Sequence, residues 1–420
     1  MRLGFHAVVA AYCLVFAVPC AIAQAAQVPL TLQDAISRSL GRNLDLKAFG
    51  YELEAQQGRE RQAGARPSPE VGVLVENALG TGERRNFDAA ETTLSLGVTL
   101  ERGARERRLD AAHASGALLD TEARIRRLDL AAETARRFVA VLESQREVVE
   151  LAHATALAQE TLKAVQRRVQ AAQAPRAEEA RALAQLAHAQ LDDEHAEHEL
   201  AAARQRLAAL WGETEVDFSE ANGDVMSLPP LEPFQSLRAR IENSSDLDRL
   251  VSEKRLREAE VRLAEVRQHP PWHVTAGVRR FEDDSDHAFI VGLTIPLAVR
   301  GQTQGALTVA RAQSAQIDAK TTALRVQLDA ELFGLFQELR HAYAEVATLR
   351  DTVLPSMEAA AEQSRYAYER GRYGYAEWIA VQRELSQLRS ALLQACADVH
   401  RHRIEIERLT GTALSGRLIP

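Results

Sequence analysis

Four short stretches of this chain alternate between apolar residues and a second set that is mostly small or polar. Val71, Val73 and Val75 alternate with Gly72, Leu74 and Glu76, and Leu94, Leu96, Val98 and Leu100 alternate with Thr93, Ser95, Gly97 and Thr99. Further on, Trp272, Val274, Ala276 and Val278 alternate with His273, Thr275, Gly277 and Arg279, and Phe289, Val291, Leu293 and Ile295 with Ile290, Gly292 and Thr294. A period of two predicts strands with one apolar face. Paired in sequence order, they predict β-hairpins over 70–101 and 271–297, each strand suited to a tilted membrane strand of roughly 9 to 11 residues, apolar toward lipid and small or polar toward a lumen. The connecting segments, Asn77 to Glu91 and Arg280 to His287, are polar and belong in water. Glu282 to Asp286 is acidic but lacks the spacing and terminal Glu of a calcium loop, so it reads as a solvated tip.

Between the hairpins the pattern is helical and long. Residues 104–170 contain no proline and would span on the order of 100 Å as one helix. The return path is predicted in two pieces, 43–66 and 178–211, which together reach roughly 87 Å. The second half repeats the plan, with a short helix over 245–269, a long one over 305–370 and a returning one over 375–409. Its apolar spacing is heptad-like: Leu332, Leu339, Val346 and Val353 on one helix, Leu385, Leu392, Val399 and Ile406 on the other. The first half is richer in Ala, which lets helices approach closely. Pro355 has no counterpart in the first half, which predicts a kink there and an asymmetry between the two hairpins of helix.

The chain therefore reads as a duplicated unit: a first repeat over 24–212, a linker or equatorial segment over 213–243, a second repeat over 244–411 and a tail over 412–420. Ser68-Pro69-Glu70-Val71-Gly72-Val73 answers to Pro270-Pro271-Trp272-His273-Val274-Thr275, Leu96 to Leu100 answers to Val291 to Ile295, and Leu210-Trp211-Gly212 to Leu409-Thr410-Gly411. Four strands make a poor sandwich, and an open sheet edge in lipid is forbidden. Since the smallest membrane barrels have about 8 strands, one chain must share a barrel with copies of itself.

Residues 1–23 read as a secretory signal: Arg2, an apolar run from Ala7 to Val18, Pro19, and a small-x-small cleavage site at Ala21-Ile22-Ala23. Of the 3 cysteines, Cys13 and Cys20 leave with it, so Cys396 has no internal partner and stability must come from packing. The formal charge of -8 and the absence of a basic block exclude a nucleic-acid partner. No later apolar run reaches the roughly 18 residues of a membrane helix. There is no Gly-x-Ser-x-Gly, phosphate-binding loop or dinucleotide fingerprint, so no catalytic residue, cofactor or enzyme activity is nominated.

The block Val75-Glu76-Asn77, Gly80-Thr81-Gly82, Phe87-Asp88-Ala89-Ala90-Glu91-Thr92-Thr93-Leu94-Ser95-Leu96, Leu100-Glu101-Arg102-Gly103 resembles the CzcC-type outer-membrane component of heavy-metal efflux systems. That family lies within the wider TolC-like outer-membrane factors, whose order of helices and hairpins covers nearly all of the mature chain. The resemblance implies a mainly α protein with a small membrane β part. It would be a homotrimer that pools a 12-stranded outer-membrane β-barrel continued by a 12-helix periplasmic α-barrel. It further implies a Gram-negative outer-membrane location extending into the periplasm, contact with outer-membrane lipid, and work with a periplasmic adaptor (a membrane fusion protein) and an inner-membrane pump of the resistance-nodulation-division type. The channel itself would be passive, conducting heavy-metal cations. The same architecture exporting drugs or a secreted protein, and a soluble periplasmic coiled-coil adaptor or scaffold, are the alternatives.

The resemblance places the turns between long and returning helices at the periplasmic tip. Ala174, Pro175, Gly371, Gly374 and Tyr375 are the expected adaptor-contact residues, and Arg176, Arg372 and Glu377 the expected gate. The first turn departs from the family's habit, having Ala172-Gln173-Ala174-Pro175 where a glycine is usual. His188, Asp192, His195 and Glu199 follow helical spacings, with His198 adjacent, and these histidines are the only metal candidates. A tight site would impede a conduit and a polar flank usually faces solvent, so no metal ligand is assigned.

Overall fold

The computed structural model describes residues 29–297 and 300–412. The leader expected over 1–23 and all of the tail but Thr412 lie outside the described residues. Helix α1 (Leu32–Arg42) opens with Thr31, whose hydroxyl accepts from the backbone N–H of Asp34 at 3.2 Å. Helix α2 (Leu44–Gly64) follows after a single residue, Asn43, whose side chain caps it by accepting from Leu46 N–H at 3.0 Å. The sequence pattern marked the second of these helices and missed the first. α1 is short and is held by burial of Leu32, Ala35 and Ser39 rather than by a long period of its own.

Strands β1 (Glu70–Glu76) and β2 (Glu91–Leu100) precede α3 (Ala104–Gln170), a single helix of 67 residues. Helix α4 (Arg176–Ala208) starts two residues earlier than the pattern suggested, because Pro175 sits just outside it with extended backbone, and it ends in a 3-10 turn at Ala209–Trp211. The linker or equatorial segment contains helix α5 (Phe234–Ala239). The second half comprises α6 (Ser245–Val266), β3 (Trp272–Phe281), β4 (His287–Thr294), α7 (Arg300–Thr348), α8 (Leu354–Glu369) and α9 (Tyr375–Leu409).

The single long helix expected over 305–370 is thus divided. A π turn over Leu349–Val353 joins α7 to α8 and lies directly before Pro355, which has no N–H to give to the preceding turn. The π turn also absorbs a difference in length. Upstream of it, buried Thr134 and Val141 correspond to buried Leu332 and Leu339, an offset of 198; beyond it Thr155 and Ala172 correspond to Leu354 and Gly371, an offset of 199.

The strands form one antiparallel sheet in the order β1-β2-β3-β4. Its register corrects one equivalence drawn from sequence. Leu96 pairs with Val71 and Val291 with Ala276, so Val71 and Gly72 match Ala276 and Gly277, three residues beyond the match the sequence suggested. The long helices follow the same order as the strands, α2 packing on α3, α3 on α6 and α6 on α7, so α2 and α7 stand at the outer edges. Farther along, α4 packs on α3, and α9 on α7, α8 and α3.

Two apolar cores fill the middle, one around Phe138, Leu207, Trp211 and Phe218 and one around Leu332, Leu339, Cys396 and Val399. Between α3 and α4 the packing is by alanine. Ala182, Ala189, Ala196 and Ala203 are all buried at a spacing of seven, and the approach is close enough for the Thr155 hydroxyl to donate to the Ala189 carbonyl at 2.9 Å. No helix among the described residues is long and apolar enough to cross a membrane.

Candidate functional site

Register determines which side chains share a face of the sheet. Val71, Leu96, Ala276 and Val291 form one cross-strand row, Val73, Leu94, Val278 and Phe289 a second, and Val98, Val274 and Leu293 a third. This face is apolar and open: Val71, Val291 and Phe289 are 72%, 80% and 90% exposed. The opposite face carries Gly72, Ser95, Gly277 and Ile290 in one row and Gly97, Thr275 and Gly292 in another. Gly277 is required there by close approach, since a Cβ would lie 2.5 Å from the Leu94 carbonyl oxygen.

On the same polar face Arg279 ties three strands together. Its guanidinium donates to Glu91 at 2.7 Å, Glu76 at 2.8 Å and the Thr93 hydroxyl at 2.9 Å, joining β1, β2 and β3. Alternation along the strand puts Arg279 on this face but does not reveal the tie. The available signal was an arginine at an inward strand position, together with acidic residues, Glu76 and Glu91, at the facing ends of the first two strands.

At the far end of the helices the two turns have the same hydrogen bonding. Gln173 N–H donates to Arg168 O at 2.8 Å and Ala172 N–H to Val169 O at 3.0 Å; Arg372 N–H donates to Ala367 O at 2.9 Å and Gly371 N–H to Tyr368 O at 2.9 Å. These are paired Schellman closures, with Ala172 (φ 57°) and Gly371 (φ 70°) in the left-handed position. Pro175 and Gly374 then occupy the N-cap positions of α4 and α9.

The eight residues nominated for the tip do come together there, with different exposures. Pro175, Arg176, Gly371, Arg372, Gly374 and Glu377 are exposed, and Ala174 is half-buried. A Cβ on Gly374 would meet the Glu377 carboxylate at 2.5 Å. Tyr375 is buried instead, inside an aromatic cluster: the Tyr368 and Trp378 rings stack at 4.6 Å, and the Tyr375 ring meets both edge-on at 6.4 and 6.5 Å. Its side chain supports the turn from within.

This cluster joins the two repeats. The Tyr368 hydroxyl donates to Glu178 on α4 at 3.0 Å, and Arg168 on α3 stacks over the Tyr368 ring at 4.4 Å while donating to the Tyr368 carbonyl. Burial, with Glu178 adding to it, raises the Tyr368 phenol far above its ordinary value, so it stays a proton donor. Tyr368, Trp378, Arg168 and Glu178 were missed from sequence. The signal was five aromatics, Tyr366, Tyr368, Tyr373, Tyr375 and Trp378, crowded around one turn of a chain that is 5% aromatic.

His188, His195 and His198 are exposed on α4. His188 lines an open groove of about 440 Å³ with Gln185, Asp192, Ile379 and Arg383. No group of three or more His, Cys, Asp or Glu positioned to hold a metal ion occurs among the described residues.

A charged seam links α3 to α9 midway along the molecule. Asp129 pairs with Arg408 at 2.7 Å, Arg136 with Glu405 and Glu143 with Arg401, so residues seven apart on α3 alternate in sign. Burial raises the Glu143 carboxyl above the usual range, opposed by Arg401 and reinforced by Asp398 and Glu147.

Comparison with known proteins agrees with this architecture. Residues 35–213 and 237–412 match the family described as outer membrane efflux protein. The cobalt-zinc-cadmium resistance protein CzcC of Cupriavidus metallidurans is 30% identical over 384 residues, covering 91% of this chain and 90% of the relative. Among solved structures, CusC aligns with a TM-score of 0.72 at 17% identity, covering 92% of this chain and 93% of the other. The outer membrane protein VceC of Vibrio cholerae aligns with a TM-score of 0.73 at 17% identity, covering 91% and 97% respectively.

Proposed function

This chain belongs to the outer membrane efflux protein family, and we propose that it is the outer-membrane channel of a tripartite system that exports heavy-metal cations. The observation that carries this reading is the sheet. One chain supplies four strands with a lipid-compatible face, a polar face and two unpaired edges, continued by helices far too long for a globular core. Three copies would close 12 strands into a barrel and 12 helices into a periplasmic duct, the two repeats of each chain, 24–212 and 244–411, contributing equally. The duct performs no chemistry; energy comes from an inner-membrane pump coupled through a periplasmic adaptor.

Metal cargo is favoured by the similarity to CzcC and by the block from Asn77 to Gly103, where the resemblance to the metal branch is concentrated. Selection among ions would reside in the pump. At the tip, Ala174, Pro175, Gly371 and Gly374 would meet the adaptor, with Tyr375 holding their turn in shape, and Arg176, Arg372 and Glu377 would take part in closing the duct.

The test is deletion of the gene followed by growth on a panel of metal salts and drugs, with complementation. Sensitivity to cobalt, zinc, cadmium, nickel, copper or silver salts is expected. Sensitivity to drugs alone would reassign the cargo. For the tip, a Gly374→Trp protein should still assemble but fail to restore resistance; unchanged efflux would remove Gly374 from the docking surface.

A further inference from the structure

The apolar band on the outer face of the sheet has a basic lower border. Its rows end at Leu100 opposite Trp272, where the strands run into the long helices, and at Thr92, Arg280 and His287 on the other side. Trp272 is exposed and shares the outer face with Val274 and Val278. The Arg102 guanidinium lies over its ring, 5.1 Å from the centroid. Arg102 is itself exposed and, among the described residues, has no acidic partner.

The arginines just beyond it are tied into the fold. Arg105 donates to the Gly64 carbonyl at 2.5 Å, Arg108 donates to the Ala65 carbonyl at 3.3 Å and to Glu101 at 3.0 Å, and Arg107 pairs with Asp110 at 3.1 Å. These contacts join the start of α3 to the end of α2 and bring Arg66 to one side of Arg102. On the other side Arg267, five residues before Trp272, caps the end of α6, which also packs on α3. Both flanking arginines are exposed, and neither has an acidic partner among the described residues. A chain with a formal charge of -8 thus gathers three unpaired cations where its apolar band meets water. A guanidinium that served only the fold would be tied as Arg105 and Arg108 are.

We propose that this rim binds the headgroup of an anionic phospholipid in the periplasmic leaflet, Arg102 holding the phosphate, Trp272 seating the glycerol and upper acyl chain, and Arg66 and Arg267 adding charge on either side. The proposal rests on the membrane barrel above and deepens it, because it names the lipid the barrel takes. A tryptophan has an apolar body and a polar N–H, which suits it to the headgroup level. An arginine stacked on its ring keeps its donors in a flat fork that matches a phosphate. An anionic leaflet attracts each such cation over about a Debye length. The opposite border is a poorer match for an anion: Arg280 donates to Glu282 at 2.8 and 3.4 Å, beside Asp283, Asp284 and Asp286. Charge therefore distinguishes the two rims.

Trp272 reports its own lipid contacts, because the other two tryptophans, Trp211 and Trp378, are buried among helices. The protein would be reconstituted in vesicles of phosphatidylcholine and phosphatidylglycerol in varied ratio, one or the other carrying bromine on its acyl chains, and tryptophan quenching would be read against a W272F background. Quenching by brominated phosphatidylcholine also certifies that each variant has inserted. The wild type is expected to prefer phosphatidylglycerol by about fivefold at low salt, the preference shrinking at high salt. R102Q should bring the two lipids close to parity, R102K should retain part of the preference, and R280Q at the other rim should retain all of it; R102K and R66Q/R267Q carry the test if R102Q fails to insert. Equal quenching by both lipids in the wild type, or an undiminished preference in R102Q or in R66Q/R267Q, would overturn the site while leaving the barrel standing. Loss of the preference on adding inorganic phosphate at matched ionic strength would overturn the lipid assignment in favour of a free anion. A wild type quenched by neither lipid would overturn the barrel and the site together.

Discussion

Ala172 and Gly371 hold the same left-handed backbone, at φ 57° and 70°, each one residue past the cap of a helix that reaches the tip. Glycine adopts this conformation freely, whereas alanine brings its Cβ against the carbonyl oxygen at a cost of roughly 1–2 kcal/mol. The first turn therefore stores strain that the second does not. Replacing Ala172 by Gly should stabilise the protein by about 1 kcal/mol, the glycine's extra freedom in the unfolded chain offsetting part of the relief. The reverse change, Gly371→Ala, should destabilise by a similar amount. Denaturant midpoints in detergent would check both, and equal midpoints for all three proteins would mean that the turn relaxes.

The two faces of the sheet respond oppositely to charge. Leu96→Arg and Val291→Arg place a cation among the exposed apolar rows, costing on the order of 2–4 kcal/mol near the bilayer midplane. Ser95→Arg puts the same group on the inner face and should be tolerated. Membrane fractionation of the three variants is the measurement; normal insertion of the first two would show that the faces are reversed.

The alanine seam leaves no room for growth. Ala196 is 4% exposed and sits between Ala189 and Ala203 against α3. Ala196→Leu should cost about 1–3 kcal/mol by forcing the helices apart. Ala184, exposed on the same helix, accepts leucine with little change, and the contrast in unfolding midpoints tests the packing argument.

Glu143 makes stability depend on pH. Burial raises its folded-state pKa above the unfolded value, so the native protein holds this proton to higher pH than the unfolded chain does. Between the two values stability falls as pH rises; below the unfolded value the penalty is absent, and above the folded value it is fully felt. Glu143→Gln removes this dependence while Arg401 keeps its second partner, Asp398, at 2.6 Å. Relative to the variant, the wild type should lose thermal stability on going from pH 5 to pH 7. A constant difference would show that Glu143 titrates as a solvated carboxylate.

Much of this architecture was legible because it is periodic. Alternation at Val71, Val73 and Val75 marks a strand without help from neighbours, and the run without proline from Ala104 to Gln170 marks a long helix. What escaped depends on contacts between distant segments. The outward faces of β1 and β3 were assigned, yet their equivalence was drawn three residues out, because motif matching cannot sense the hydrogen-bonded register that β2 and β4 impose. Beside a turn Tyr375 reads as a surface residue, since the turn sequence does not reveal that Tyr368 and Trp378 enclose it. The Arg279 tie joins residues about 190 and 200 positions apart and leaves no local trace.

The π turn at Leu349–Val353 bears on how the two halves could diverge. Each residue turns an α-helix by about 100°, so an added residue anywhere in α7 would swing the distal end to a different bearing and aim its loop away from its twin. A wider coil takes up that residue locally. Pseudo-symmetry at both extremities can then survive unequal spans, and the bulge works as an expansion joint that freed one arm to change length while the mouth kept its alignment.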